Sequence, residues 1–260
     1  MSIKHLIPKK FRAPLNRQRL AALAVVKKTG HALGMGKFIW QKALPSEVGF
    51  WEDYLQSLGK SCGAEAEFQF RTDPNSPMQP WLHDLLHCPV GAPVRVLDVG
   101  AGPLTWVGKK WPGREVEITA IDPLADNYNE IMQRCGVVPP VRTQKGDGEE
   151  VVKMFGRDQF DLAFARNCLD HAYDAREAVK NMIEATRPGG IIFLWHAENE
   201  AEALQYDGLH QWNFHLKDGE LLVWNGKRVL NVNQSFAGKL QVVRCEQVDG
   251  MIQAVYRKLE

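Results

Sequence analysis

Four short apolar runs constrain this chain more than any other feature. They read "VRVLDVG" (94–100), "VEITAIDP" (116–123), "FDLAFAR" (160–166) and "GGIIFLWH" (189–196). Each has strand length, and helical patterns fall between them near 125–135, near 148–155 and in "DAREAVKNMIEATRPGG". Strands alternating with helices at this spacing predict a parallel, doubly wound α/β sheet. After residue 208 the pattern changes. Asp218-Gly219 and Asn225-Gly226 are hairpin-type turns between alternating residues, and Asp249-Gly250 separates two further strands. The sheet is expected to finish antiparallel.

Upstream of residue 94 two further zones are expected. Residues 1–44 form a basic arm, with apolar residues at helical spacing around Leu20, Leu23 and Ala24 and glycines at 30, 34 and 36 to end the helix. Residues 45–93 form a helical lid, with Ser46 placed to cap a helix bearing Phe50, Trp51, Tyr54, Leu55 and Leu58. The sheet domain then occupies 94–260, with an antiparallel hairpin insertion at about 208–235. The formal charge of +1 conceals an asymmetry. Met1 to Ser46 carries ten Lys/Arg and no acid, and the rest carries 22 basic against 31 acidic residues. Such an arm suits an anionic partner, either a membrane surface or a phosphorylated acceptor. Five cysteines without a CxxC pair fit neither a disulfide framework nor a zinc site and suggest a reducing, cytoplasmic setting. No apolar run reaches membrane-spanning length.

The strand ends carry the chemistry. In "VLDVGAGP" (96–103), Gly100 and Gly102 sit at an expected strand-to-helix turn, where the lack of a Cβ lets a ligand approach the backbone. A dinucleotide fingerprint requires a third glycine that is missing here, which counts against a nicotinamide-dependent oxidoreductase. Asp98, two residues before the first glycine, would repel a pyrophosphate and favour a cofactor without phosphates. About twenty residues on, "ITAIDP" ends in Asp122, placed to accept both hydroxyls of a ribose. Asp147 and Gly148, in "QKGDGEEV", come after a third short strand.

Together with "FDLAFARNCLDH" and "RPGGIIFLWH", these segments resemble the successive motifs of class I S-adenosylmethionine-dependent methyltransferases over about residues 94–200. The resemblance implies a seven-stranded, mostly parallel sheet and S-adenosylmethionine as cofactor. It places Gly100, Gly102 and Asp98, with Pro103, at the methionine end. Asp122, with Pro123, goes to the ribose, and Asp147 with Gly148 to adenine. Arg166 and Asn167 would lie along the cofactor, and Arg71 would reach the methionine carboxylate.

The acceptor side is read from the segments after the fourth strand. "RNCLDH" is not the Asn/Asp-Pro-Pro run of DNA amino-methylating enzymes, and Cys168 lacks the proline of cytosine-C5 enzymes, so DNA is not the expected partner. "WHAENEAEALQYDGLHQWNFH" (195–215) overhangs the sheet's carboxyl edge. The expectation is O-methylation of a small molecule or glycan, phosphate-bearing if the basic arm contributes, with a histidine removing the hydroxyl proton. His210 is the first candidate for that base, with His171 and His196 behind it. No metal is expected, because a zinc triad of His196, His210 and His215 would activate a water that methyl transfer does not need. RNA or protein methylation, or a non-catalytic protein that binds the methyl donor, are the alternatives.

Overall fold

A computed structural model describes residues 9–89 and 91–260, with side chains from Ala21 onward. The first eight residues of the expected arm lie outside the described residues. Four helices, α1 (Lys9–Ala32), α2 (Gly36–Gln56), α3 (Glu65–Thr72) and α4 (Pro80–His83), precede β1 (Val94–Val99). The alternating part continues through β2 (Val116–Asp122), α5 (Ala125–Cys135), β3 (Gln144–Lys145), α6 (Val151–Phe155), β4 (Phe160–Arg166), α7 (Ala175–Ala185) and β5 (Thr186–Ala197). Then come α8 (Glu200–Ala203), β6 (Asn213–Lys217), β7 (Glu220–Asn225), β8 (Arg228–Asn231), α9 (Val232–Ser235), β9 (Leu240–Val248) and β10 (Met251–Lys258).

The seven-stranded sheet has the order β3-β2-β1-β4-β5-β10-β9. The first five strands pair in parallel, and β10 runs antiparallel to both β5 and β9. This is the doubly wound, mostly parallel architecture with an antiparallel finish that the strand pattern implies. Central strands are apolar on both faces because both are covered. Val96, Phe164, Phe193 and Val255 pack on one side against Met78, Leu82 and Val107. Leu97, Ala163, Ile192 and Ala254 pack on the other against α7 and Trp212. Each buried leucine- or phenylalanine-sized side chain contributes about 1.5–3 kcal/mol. The chain order reverses direction between β1 and β4, and the crevice at their carboxyl ends is where an open α/β sheet binds ligands.

Four sequence expectations need correction. Ser46 does not cap a helix: α2 begins at Gly36 and runs through Pro45, and the Ser46 hydroxyl donates to Ala43 O at 2.7 Å. The boundary drawn between residues 44 and 45 therefore falls inside α2. Proline resembles a helix start, but here it is accommodated in an interior turn that lacks only its own N–H. The second departure is that no helix follows the glycines at 100 and 102. Residues 101–115 are irregular, broken by Pro103, Gly108, Pro112 and Gly113. At Gly108 an added Cβ would lie 2.0 Å from Pro77 O, so the segment around Ser76–Met78 packs directly against this loop. Third, residues 213–231 form a separate three-stranded antiparallel sheet, β6-β7-β8, not a hairpin. Both turn signals are used, since Asp218-Gly219 joins β6 to β7 and Asn225-Gly226 lies between β7 and β8. Last, the helix expected over "ENEAEALQY" is confined to α8, after which Gln205 and Tyr206 take left-handed backbone conformations.

Candidate active site

The carboxyl ends of β1, β2 and β4 open into a cleft enclosing about 780 Å³ of empty space, part of it continuous with solvent. Its floor is the glycine loop. Gly100 has φ +66°, and an added Cβ there would meet Cys168 Sγ at 2.6 Å. Gly102 has φ +63°, and its Cβ would meet the Trp51 ring at 2.7 Å. Only glycine fits both positions. Asp122, 8% exposed, closes the β2 end. Its carboxylate accepts Gly102 N at 3.1 Å and Leu124 N at 2.9 Å. Burial pushes its pKa up to about 7 despite those bonds. Asp147 and Glu149 flank the far end, and burial raises both, Glu149 to about 7. On the helical side, α2 contributes Trp40, Leu44, Glu47 and Trp51. Glu47 Oε1 holds the Trp51 indole N–H at 2.9 Å.

The other end is cationic. Arg71 donates to Leu104 O at 2.5 Å and to Glu67 at 2.9 Å, while Arg166 donates to the same Glu67 at 3.2 Å. The Arg166 guanidinium lies 4.6 Å from the Trp106 ring and 5.3 Å from that of Trp195. Carboxylates and aromatic rings at one end with two guanidiniums at the other suit a nucleoside joined to an amino acid.

Beside the loop after β4, three groups converge. His210 Nδ1 is 2.6 Å from Asp170 Oδ2 and 3.1 Å from His171 Nε2, and that nitrogen is 3.4 Å from the same carboxylate oxygen. Asp170 O accepts Gln211 N and Trp212 N, at 2.8 and 3.0 Å, which ties the two loops together. His171 lines the cofactor cleft, and its Nδ1 is 3.7 Å from Glu47 Oε2. His210 lines a neighbouring, more open cleft with Glu47, Phe50, Asp207 and Leu209. Burial alone would lower the His210 pKa, but the hydrogen bond and charge of Asp170 outweigh it and raise the value above that of an ordinary histidine. Asp170 is correspondingly lowered, with the two histidine charges overcoming its burial.

Residues 96–190 match the family model described as a methyltransferase domain. That match spans 95 of the chain's 260 residues. No curated protein matches its sequence. Among solved structures, an S-adenosylmethionine-dependent methyltransferase from Clostridium acetobutylicum is 12% identical, with 69% of this chain covering 87% of that one at a TM-score of 0.42. One from Mesorhizobium loti is 13% identical, covering 69% and 96% at 0.42. The 1,6-didemethyltoxoflavin-N1-methyltransferase of Burkholderia thailandensis, solved with 1,6-didemethyltoxoflavin and S-adenosylhomocysteine, is 19% identical, covering 82% and 90% at 0.40.

Of the residues expected at the cofactor, Arg71, Gly100, Gly102, Asp122, Pro123, Asp147, Gly148, Arg166 and Asn167 line the cleft. Asp98 and Pro103 do not. Asp98 lies beneath the glycine loop, 3% exposed, and accepts the Thr105 hydroxyl at 2.5 Å. Burial pushes its pKa up to about 6. Pro103 is buried behind the loop. Of the three candidate histidines, His171 and His210 meet. His196 does not join them: it is 1% exposed, stacked on Phe214 at 4.0 Å, and driven by burial to a pKa of about 4. His215 is held by Glu198 at 2.7 Å, away from both clefts. Sequence reasoning overlooks Asp170, Glu47 and Glu149. Asp170 is visible as the acid beside His171 in "LDH", whereas Glu47 reaches the site only because α2 folds across it.

Proposed function

We propose that the chain is an S-adenosylmethionine-dependent methyltransferase that acts on a hydroxyl of a small molecule or glycan. The acceptor would sit between the cofactor cleft and its neighbour, where Glu47 and Leu209 belong to both. The observation that carries this reading is the Asp170–His171–His210 cluster at that junction. S-adenosylmethionine supplies an electrophilic methyl group, so the protein's task is alignment and removal of one acceptor proton. Asp122 is assigned to the ribose hydroxyls, Asp147 to the adenine amino group, and Arg71 and Arg166 to the methionine carboxylate. Gly100 and Gly102 allow close approach of the backbone, and Asp98 supports that loop through Thr105 without lining the cleft. Proton removal is assigned to the histidine cluster as a unit, with the His210 side chain as its indispensable member and α2 as the lid that excludes water.

The lining residues favour a neutral acceptor over a phosphorylated one. Glu47 and Asp207 flank His210 in the second cleft, and no Lys or Arg lines it among the described residues. The basic arm is proposed to meet an anionic surface elsewhere, where α1 leaves Val25 and Val26 64–65% exposed. No described helix is long and apolar enough to cross a membrane. The acceptor assignment is tested with radiolabelled methyl donor offered to cell extract separated into small molecules, glycans, RNA and protein. Label in the first two fractions supports it, and label confined to RNA or protein refutes it.

A further inference from the structure

The three atoms that meet at Asp170, His171 and His210 outnumber the protons able to pair them. Each imidazole nitrogen carries at most one hydrogen. If both carry one, two N–H groups oppose each other across the 3.1 Å edge. If only His210 does, its proton goes to Asp170 Oδ2 at 2.6 Å, and His171 Nε2, 3.1 Å away, keeps a lone pair with no donor in the cluster. A cation seated beside the three atoms accepts all their lone pairs at once. Zinc-type ions sit about 2.0–2.2 Å from imidazole nitrogen and carboxylate oxygen. Ligand atoms at that radius are about 2.8–3.6 Å apart, so the edges of 3.1 and 3.4 Å already suit an ion and the 2.6 Å edge must open by up to about 1 Å.

Two independent features point the same way. Asp170 is 2% exposed, yet its second oxygen, Oδ1, is buried with no hydrogen-bond partner. That leaves a desolvated carboxylate with unused coordinating capacity. Glu47 stands 3.7 Å from Nδ1 of His171, the ring nitrogen away from the cluster. An outer carboxylate at that place orients a metal-ligating histidine and raises its basicity. The loops are already joined through Asp170 O, so the donor set is assembled in the fold.

We infer that Asp170, His171 and His210 bind a divalent transition-metal ion at the junction of the two clefts. Two imidazoles and one carboxylate suit Zn²⁺, Co²⁺ or Mn²⁺ and leave positions open for water or an acceptor oxygen. The histidines then act as ligands, and the ion would lower the pKa of the acceptor hydroxyl so that its proton passes to water in the open second cleft. This departs from the metal-free expectation drawn from the sequence. The ion's role rests on the proposed acceptor reading, whereas its binding does not.

The test uses the full chain, stripped with chelator and titrated with Co²⁺ while visible absorption and bound metal are followed. One Co²⁺ per chain is expected. His171→Ala and His210→Ala should each weaken it by more than about 100-fold, beyond what outer partners alone contribute. His210→Ala, which lies outside the first cleft, should keep S-adenosylhomocysteine binding by calorimetry, and His215→Ala should keep the metal. Failure of the wild type to take up stoichiometric Co²⁺, or undiminished uptake by both cluster variants, overturns the site. If a variant loses its fold, X-ray absorption of the Co²⁺-loaded wild type decides: a shell with two imidazoles supports the site, and one without imidazole overturns it. Methyl transfer that persists without metal would overturn the ion's role and leave the methyltransferase reading standing.

Discussion

Replacing Asp122 with Asn should reveal a proton coupled to cofactor binding. The buried Asp122 carboxyl has a pKa near 7 in the free protein, and its two oxygens already accept Gly102 N and Leu124 N. Ribose hydroxyls donating to it favour the ionised form, so binding pulls the pKa down and releases a proton wherever the free group is protonated. S-adenosylhomocysteine affinity should therefore rise with pH, by up to about tenfold per unit, and level off above pH 7. Asn cannot ionise and exchanges one strong acceptor for a donor. A hydrogen bond to a charged group contributes about 1.5–3 kcal/mol, so the variant should bind about 10–150-fold more weakly at pH 8. The gap should close toward pH 5.5. Folding suffers as well, because one buried backbone N–H loses its acceptor at about 1–3 kcal/mol. Calorimetry from pH 5.5 to 8.5, with melting curves as a control on folding, measures both. Other groups titrate in this range, so the difference between the two curves is the relevant quantity. Equal affinities at pH 8, or parallel curves, would refute the assignment of Asp122 to the ribose.

His210→Ala should lower turnover by about 10²–10⁴-fold with cofactor affinity nearly unchanged, and a full-rate variant would remove the cluster from catalysis. In the metal-free protein Asp170 raises the folded-state pKa of His210 above its unfolded value, so their pairing stabilises the chelator-treated fold below pH 6.5 and loses effect as pH rises through the higher value. The stability difference between wild type and His210→Ala should accordingly shrink from pH 5.5 to pH 8 in denaturant titrations. Gly102→Ala places a Cβ at φ +63° and 2.7 Å from Trp51, so lower melting temperature and at least tenfold weaker S-adenosylhomocysteine binding are expected. Val25→Asp with Val26→Asp should reduce co-sedimentation with vesicles rich in phosphatidylserine. Unchanged sedimentation would detach α1 from any membrane role.

The sheet is legible because its strands are written as nearly unbroken apolar runs, the first two ending at Gly100 and Asp122. The same strand ends place Gly100, Asp122 and Asp147 in the cleft. Asp98 is misplaced by sequence because strand alternation does not show whether a carboxylate looks into a pocket or under a loop, and Thr105, its partner, lies in a segment without regular structure. The missing helix after Gly102 reflects a contact from Ser76–Met78, which no local pattern announces. Pro45-Ser46 looks like a helix start, yet α2 begins nine residues earlier and carries Trp40 and Glu47 to the cleft. His171 and His210 are 39 residues apart and look unrelated along the chain. Their meeting depends on Asp170 O clasping the loop at Gln211 and Trp212, a tertiary bond beyond the reach of periodicity.

A crystal structure of the full chain with S-adenosylhomocysteine would bear on the cofactor site and the junction together. The ribose hydroxyls should lie about 2.6–3.2 Å from Asp122 and the carboxylate beside Arg71 or Arg166. The sulfur should face the junction that holds His171 and His210. A ligand bound outside the cleft, or one whose sulfur points away from the histidines, would contradict both assignments.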